Sequence, residues 1–160
     1  MAINSFSREI AVSSREIAVS ADADRAWTVL TDVPLLVSWI SVVEQGVQIT
    51  PLEKYSAVLM SRLGPFKLRA DLDITLTDVE VGRHVLMRAE GEDRQVGSRV
   101  VVAVALDIVE SDQSGLVVRV AGTYEVTGRV ASMGSGTIRK KADTILDEFF
   151  GHVASSLGSR

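Results

Sequence analysis

The sequence predicts an α+β domain in which a curved antiparallel sheet of about six to seven strands wraps around one long C-terminal helix. Between about Val42 and Val126, apolar and polar residues alternate with the period of a β-strand. From about Val130 the apolar residues recur every three or four positions, which is the period of an amphipathic helix. A meander of strands buries the apolar stripe of one long helix by curving around it, and two short helices are predicted after the first strand.

The composition excludes several classes of function. The chain has 160 residues, of which 46% are hydrophobic and 24% charged, as in one ordinary globular domain. It has no cysteine, which excludes disulfides and thiolate chemistry. The net charge of −4 disfavours a nucleic-acid partner, because phosphate binding needs a positive surface. No apolar run approaches the roughly 20 residues of a membrane span and no secretion signal is present, so we expect a cytoplasmic protein.

A tandem repeat opens the chain. Ser7–Ser13 reads SREIAVS, and Ser14–Ser20 reads SREIAVS again. Repeat architectures need three or more units, so we interpret the pair as a duplication. Only the second copy runs directly into the first helix, and we predict Arg15–Ser20 as the first strand, residues 1–14 as an N-terminal extension and residues 15–158 as a single domain. Because seven is an odd number, exchanging the copies would turn every side chain to the other face of the sheet.

Three helices are predicted from capping residues and apolar spacing. The first is Asp22–Thr31, with Ser20 or Asp22 as its cap. Pro34–Ile40 is a second short helix, opened by its proline. The long helix covers about residues 132–156. Its apolar stripe consists of Ile138, Ala142, Ile145, Leu146, Phe149, Phe150, Val153 and Leu157.

The predicted strands are separated by turn signals. Gly64-Pro65 joins two of them into a hairpin, and Ser111–Ser114 turns the chain back between two others. After the first strand, the predicted strands are Val42–Thr50, Tyr55–Leu63, Phe66–Val79, His84–Gly91, Arg99–Glu110 and Leu116–Val126.

The inner face of the predicted sheet is apolar. Period-two alternation assigns inward positions on the predicted strands from Tyr55 to Val126, and none of the side chains assigned inward is ionisable at neutral pH. Their only polar groups belong to Tyr55, Ser61 and Tyr124. Acid–base catalysis needs groups whose pKa lies near the working pH, so we expect no catalytic residue and no metal ligand there. An apolar wall with a few hydrogen-bonding groups is instead typical of a ligand pocket.

The alternative to a pocket is a solid core, because protein interiors are normally close-packed. Small inward residues favour open space, and these are Ala57, Ala70, Ala89 and Gly122. The residues that we predict to line the pocket are Trp39, Tyr55, Leu59, Ser61, Leu68, Leu72, Met87, Tyr124, Ile145 and Phe149.

The histidines and one basic run have structural interpretations. His84 and His152 have no carboxylate or second histidine at metal-ligand spacing, so we expect them to be structural or exposed. The run Arg139–Lys141 lies on the long helix and is interpreted as a solvated face. Its alternative interpretation is a contact with anionic lipid headgroups at a membrane surface.

Three stretches of the chain resemble a known family. They are ADRAWTVLTD at the first helix, YSAVLMSRLGPFKLRADLDITLTD at the hairpin and VASMGSGTIRKKADTILDEFFGHVA at the last helix. With this order of elements, the chain resembles the START-like, or SRPBCC, superfamily of helix-grip domains, and more narrowly the CoxG family of carbon monoxide dehydrogenase subunits. The resemblance covers roughly Arg15 to Leu157. One departure is Ser41-Val42, where a Pro-Gly pair is expected at the mouth of the pocket.

The resemblance implies an accessory protein of molybdenum-containing carbon monoxide dehydrogenases and related hydroxylases. Members are linked to membrane attachment of the enzyme and to carrying a quinone or similar lipid. We therefore expect a non-enzymatic carrier of an apolar ligand, without a cofactor, in the cytoplasm and in peripheral contact with the inner face of the membrane. The alternative is a polyketide cyclase-like or hydrolase-like enzyme in which Tyr55 or Tyr124 steers an apolar substrate, because the wider superfamily includes such enzymes.

Overall fold

One curved antiparallel sheet and a long C-terminal helix make up most of the molecule. The computed structural model describes residues 8–63, 65–110, 115–133 and 135–158. In chain order, the elements in these ranges are β1 (Arg8–Val19), α1 (Ala23–Leu30), α2 (Val33–Ser38), β2 (Val43–Thr50), β3 (Lys54–Leu63), β4 (Phe66–Glu80), β5 (His84–Asp93), β6 (Ser98–Glu110), β7 (Leu116–Gly128), a 3-10 helix (Val130–Met133) and α3 (Ser135–Leu157). The strands of the sheet follow the order β1-β7-β6-β5-β4-β3-β2. The predicted fold class is confirmed.

Strands β2 to β7 agree with their predicted ranges to within two residues at either end. The β3–β4 hairpin is paired without interruption from Tyr55, opposite Ile74, to Leu63, opposite Phe66. The predicted turn at Ser111–Ser114 lies outside the described residues, as does Gly64 of the hairpin turn. Alternating apolar residues thus position these strands well, because each strand buries one face and exposes the other.

The first strand is longer than predicted. β1 begins at Arg8 in the first copy of the repeat, and it pairs with β7 from Arg8, opposite Thr127, to Val19, opposite Leu116. The predicted start at Arg15 was therefore wrong. The reason is that β7 continues to Gly128, so its backbone N–H and C=O groups offer partners beyond the second copy. The division of the chain at residue 15 into extension and domain stays a prediction.

Aspartate caps fix the two short helices that follow β1. The carboxylate of Asp22 accepts a hydrogen bond from the Arg25 N–H at 2.8 Å, at the start of α1. The carboxylate of Asp32 accepts one from the Leu35 N–H at 3.2 Å. This cap starts α2 one residue before the predicted Pro34, which becomes its second residue.

The C-terminal end of α3 is tied to the end of β1. Gly158 follows the helix with a positive φ of 75° and donates its N–H to the Ala154 carbonyl oxygen at 3.0 Å. The Ser20 N–H donates to the Gly158 carbonyl oxygen at 2.7 Å, and the Ala21 N–H donates to the Leu157 carbonyl oxygen at 3.0 Å. These bonds fix the C-terminal end of α3 beside the link between β1 and α1.

Two buried polar residues position the opposite end of the molecule. The Asp93 carboxylate accepts hydrogen bonds from the N–H groups of Arg69 at 2.8 Å, Gln95 at 3.0 Å and Val96 at 3.2 Å. These bonds, the one from Arg69 above all, hold the pKa of Asp93 below its ordinary value. The Ser98 hydroxyl oxygen accepts a hydrogen bond from the Val130 N–H at 2.9 Å. The β5–β6 turn and the approach to α3 are thereby held in place.

The core consists of two buried clusters on the inner face of the sheet. The first cluster joins α1, α2 and the C-terminal end of α3 to the sheet, and its members include Trp27, Leu30, Trp39, Tyr55, Leu72, Val85, Leu106, Val118, Val153 and Leu157. The second cluster lies by the start of α3 and consists of Leu63, Leu68, Val100, Val126, Val130, Ala131 and Ile138. Each end of α3 thus has its own core.

Candidate functional site

The region between the two clusters is not fully buried, although it lies on the inner face of the sheet. Its inward side chains are half-buried, and these are Leu59, Met87, Val102, Val104 and Tyr124. Leu59 and Val102 pack against both clusters and so mark the boundary between them. In a close-packed interior, side chains at the middle of a covered sheet would be fully shielded. The less shielded space between the clusters is therefore the candidate pocket.

Helix α3 is buried at its two ends and not in its middle. Ile138 is 5% exposed in the second cluster, whereas Val153 and Leu157 are 0% and 3% exposed in the first. The apolar residues between them are only half-buried, and these are Ala142, Ile145, Leu146, Phe149 and Phe150. The helix is therefore anchored in a different cluster at each end, and its middle is less shielded than its ends.

Aromatic rings form one wall of this space. Trp39, at the end of α2, is 7% exposed and its ring lies 5.9 Å from the ring of Phe149. The same indole stacks on His152 with ring centroids 5.4 Å apart and planes 9° apart. Phe150 meets Phe149 edge to face, with ring centroids 5.4 Å apart. The rings join α2 to the last turns of α3 and close the space on that side.

Charged and polar contacts hold α3 on both flanks. Arg15 of β1 makes ion pairs with Asp143, at 3.8 Å, and with Asp147. On the other side, the Ser41 N–H donates a hydrogen bond to the Glu148 carboxylate at 3.0 Å. Arg15 is an ionisable residue on the inner side of the sheet that the sequence analysis missed. Counting back in steps of two from the buried Val19 would have found it.

The three inward polar residues differ in what their hydroxyl groups bond. The Tyr55 hydroxyl oxygen accepts a hydrogen bond from the Leu52 N–H at 2.9 Å, so it serves the turn between β2 and β3. Tyr124 is half-buried at the edge of the second cluster. The Ser61 hydroxyl oxygen is shielded from solvent and has no hydrogen-bond partner in the part of the chain that the structure describes.

The ten predicted pocket residues fall into two groups. Trp39, Tyr55, Leu68 and Leu72 are buried within the clusters. Six others are half-buried, and these are Leu59, Ser61, Met87, Tyr124, Ile145 and Phe149. Val102 and Val104 are half-buried as well, although the sequence analysis left them out of the predicted site.

The small inward residues do not mark the open space. Ala57, Ala70 and Ala89 are 3%, 1% and 7% exposed, so other atoms pack closely around them. A Cβ atom added to Gly122 would lie 2.7 Å from the Ala103 carbonyl oxygen. Glycine at this position permits a close approach of two strands in the curved sheet. The argument from residue size was therefore wrong, and the half-buried side chains carry the inference of a pocket instead.

A second concavity lies at the end of the β3–β4 hairpin, beside the β5–β6 turn. It has a volume of about 620 Å³, and its lining consists of Met60, Ser61, Arg62, Lys67, Leu68, Arg69, Asp71, Glu92, Asp93, Arg94 and Gln95. Most of these side chains are charged, and Arg62, Lys67, Arg69 and Arg94 are exposed to solvent. Such a lining suits water better than an apolar ligand.

The histidines and the basic run lie in different surroundings, and His152 is the residue stacked on Trp39. His84 pairs its Nδ1 with a carboxylate oxygen of Asp107 at 2.7 Å, across β5 and β6. Within the described ranges, no group of three or more His, Cys, Asp or Glu side chains could hold a metal ion. Arg139 and Lys140 are exposed on α3. Among the described residues, no helix has both the length and the apolar content to span a membrane.

Comparison with known proteins places this geometry in a family. The family model for CoxG, a subunit of carbon monoxide dehydrogenase, matches residues 16–158. No curated protein sequence matches the chain.

Solved structures share the fold at low sequence identity. A conserved protein from Geobacillus kaustophilus is 20% identical, with a TM-score of 0.78 over 92% of this chain and 95% of that one. A START superfamily protein from Mycobacterium smegmatis is 12% identical, with a TM-score of 0.65 over 92% of this chain and 94% of that one. Norcoclaurine synthase from Thalictrum flavum, in complex with dopamine and hydroxybenzaldehyde, is 20% identical, with a TM-score of 0.51 over 94% of this chain and 92% of that one.

Proposed function

Because the chain belongs to the CoxG family of carbon monoxide dehydrogenase subunits, we propose that it is a non-enzymatic carrier of an apolar ligand, a quinone or a lipid. The observation that carries the proposal is the divided core. Apolar side chains are only half-buried both on the inner face of the sheet and on the middle of α3, and a buried cluster lies at each end of the helix. An apolar ligand between them would complete the burial that the chain leaves incomplete.

The charged groups near the space support a carrier over an enzyme. Within the described part of the inner face, Arg15 is paired with two carboxylates of α3, and Asp93 accepts three backbone hydrogen bonds. Neither group is available to move a proton of a bound molecule. The second candidate function is a cyclase-like or hydrolase-like enzyme, and it is favoured by the shared fold of norcoclaurine synthase.

The family also supplies a partner and a location for the proposal. The carrier would serve a molybdenum-containing carbon monoxide dehydrogenase or a related hydroxylase, in the cytoplasm at the inner face of the membrane. The exposed Arg139 and Lys140 on α3 suit a peripheral contact with anionic headgroups, where each cation contributes about 1 kcal/mol of attraction.

Filling the space tests the proposal. Met87 is half-buried on the inner face, so Met87→Trp should lower the affinity for a short-chain quinone about tenfold while reducing the free energy of unfolding by less than about 1 kcal/mol. Leu72 is 8% exposed within the first cluster, and Leu72→Trp is the matched control that should cost about 1–3 kcal/mol of stability. Quinone titration monitored by tryptophan fluorescence and urea denaturation give the two readouts.

The outcomes separate the candidates. Native mass spectrometry of the purified protein should detect an apolar molecule bound to the wild type. If the wild type binds neither quinone nor lipid and both substitutions destabilise the protein equally, the core is solid and the carrier function is wrong. A product that appears on incubation with an apolar substrate, and disappears in Tyr124→Phe, would favour the enzyme.

A further inference from the structure

Ser61 is a polar residue in an apolar place. It lies on β3 opposite Leu68 of β4, and the alternation of the strand puts it on the inner face with Leu59 and Leu63. Leu63 and Leu68 are buried in the second cluster, whereas Leu59 packs against both clusters. Ser61 therefore lies where the second cluster meets the open space.

The hydroxyl group of Ser61 leaves its hydrogen bonds unmade. Its oxygen is shielded from solvent and finds no partner among the described residues. Buried hydroxyl groups in native proteins nearly always have a partner, and one without a partner carries an uncompensated desolvation cost. Alanine or valine at this position would avoid that cost, so the serine calls for a partner that the described part of the chain does not supply.

Other polar groups on the inner face serve the fold. The Tyr55 hydroxyl binds the Leu52 N–H, the Ser98 hydroxyl binds the Val130 N–H, and the Asp93 carboxylate accepts three backbone N–H groups. Each of these contacts stabilises a turn or a helix start. Ser61 makes no such contact with the residues that the structure describes, which distinguishes it from Ser98.

The surroundings of Ser61 also limit the charge of its partner. On the inner face, Leu59, Leu63 and Leu68 supply no charge, and the charged group buried nearby, Asp93, is negative. Ser61 also lines the charged concavity at the end of the hairpin, but the cations there are exposed to solvent, and these are Arg62, Lys67, Arg69 and Arg94. Arg15, the cation described on the inner side, is paired with carboxylates of α3. An ionised carboxylate or phosphate buried beside Ser61 would lack a counter-ion and would be strongly disfavoured.

We infer that Ser61 is the polar anchor of the pocket and that the ligand carries an uncharged oxygen group, a carbonyl or a hydroxyl, that hydrogen-bonds to it. This inference rests on the proposed carrier function. It assigns the ligand a direction, with its oxygen group at the second cluster and its apolar part towards Met87. The two residues are well separated, since Ser61 pairs with Leu68 and Met87 with Leu76, eight residues further along β4.

A set of probes with equal chain length tests the anchor. An aliphatic methyl ketone, the alkane of the same length and the corresponding carboxylate would each displace the neutral dye Nile red from the wild type. The ketone should bind about twofold to tenfold more tightly than the alkane, as expected for one net hydrogen bond. The carboxylate should bind more weakly than the ketone at neutral pH. In Ser61→Ala the affinity for the ketone should fall to that for the alkane, and the affinity for the alkane should not change. Ser61→Thr keeps a hydroxyl group, so it should bind the ketone more tightly than the alkane, as the wild type does.

Control variants make the test specific. Tyr55→Phe should leave the preference for the ketone unchanged. Without ligand, Ser61→Ala should not lower the melting temperature, whereas Ser98→Ala should, because only Ser98 accepts a backbone N–H. If the wild type binds both the ketone and the alkane, and Ser61→Ala still binds the ketone more tightly, Ser61 is not the anchor. The same conclusion follows if Tyr124→Phe removes the preference for the ketone instead. In either case the binding of the probes would still support the pocket. If no probe displaces Nile red or the dye itself does not bind, the proposed function fails and the anchor with it.

Discussion

At the scale of single residues, the backbone around a buried polar side chain determines what that side chain does. Asp93 and Ser98 lie at strand ends, where backbone N–H groups have left the ladder and need acceptors. Ser61 lies within the ladder of β3 and β4, and its hydroxyl oxygen accepts no backbone N–H among the described residues. The same kind of inward polar residue is therefore structural at the end of the sheet and available for a ligand within it.

Asp93 should make stability depend on pH in a definite direction. The pKa of the Asp93 carboxyl is lowered in the folded protein. Its stabilising effect is therefore complete above the ordinary aspartate pKa of about 3.9. The effect is lost as the pH falls through the lower pKa of the folded protein. Asp93→Asn should reduce the free energy of unfolding by about 1–3 kcal/mol at neutral pH, because an amide replaces an acceptor of three N–H groups. The difference from the wild type should shrink in acid. Urea denaturation over a pH series measures both.

The matched control is Glu90→Gln. The pKa of Glu90 is also lowered, chiefly by its hydrogen bond with Arg88, but these groups are on the outer surface and exposed to water. The substitution should change stability little at any pH. A loss for Asp93→Asn that is no larger than for Glu90→Gln would contradict the structural role of the Asp93 carboxylate.

At the scale of elements, α3 is buried at its two ends and only half-buried in its middle. Its C-terminal end has backbone hydrogen bonds to the end of β1 and buried side chains, and its start follows the 3-10 helix that Ser98 holds. The ion pairs of Arg15 with α3 are largely exposed, and such pairs contribute about 0–1 kcal/mol each. The middle of the helix is thus the part least firmly held.

Truncations along α3 should reflect this arrangement. Leu157 is 3% exposed in the first cluster, so Leu157→Ala should lower the free energy of unfolding by about 2–5 kcal/mol. Ile145 is half-buried over the space, and Ile145→Ala should cost markedly less while weakening the binding of an apolar ligand. Denaturation without ligand, followed by ligand titration, compares the two. Equal losses of stability would mean that the middle of α3 is packed on the sheet and that no space separates them.

At the scale of the whole molecule, periodicity predicted the elements but not the distance between them. The alternation in β4 and the three-and-four spacing in α3 each follow from one buried face, so both could be read from the sequence. How far α3 stands from the sheet depends on contacts at its ends, which no local pattern encodes. For the same reason, the sequence analysis put Leu72 and Met87 in one group, although Leu72 is buried in the first cluster and Met87 is only half-buried.

Strand ends were the other limit of prediction. Asp93 was missed because the alternating pattern ends at Gly91. Strand β5 continues by backbone pairing to Asp93, which lies opposite Ser98 of β6. The same effect extends β1 into the first copy of the repeat. Backbone hydrogen bonds do not depend on side chains, so a strand can extend beyond the residues whose alternation predicts it.

The tandem repeat gives a test of where the domain begins. Because the copies are identical, deleting Ser7–Ser13 or Ser14–Ser20 produces the same chain, in which one copy leads directly into α1. That copy should take the place of the second one, since its position next to α1 sets its register with β7. The preceding residues 1–6 would then lie beside the part of β7 that Arg8–Ser13 pairs with, and backbone pairing there is independent of sequence.

We therefore expect the single-copy protein to fold and to melt less than about 8 °C below the wild type, a margin of roughly 2–4 kcal/mol for a domain of this size. The ion pairs of Arg15 and the buried Val19 would both be supplied by the remaining copy. A second variant that lacks residues 1–13 leaves nothing to pair with the end of β7, and comparing its melting temperature with that of the single-copy protein isolates this pairing. A larger drop in the single-copy protein would mean that Arg8–Ser14 belongs to the folded domain and that its boundary lies before residue 15.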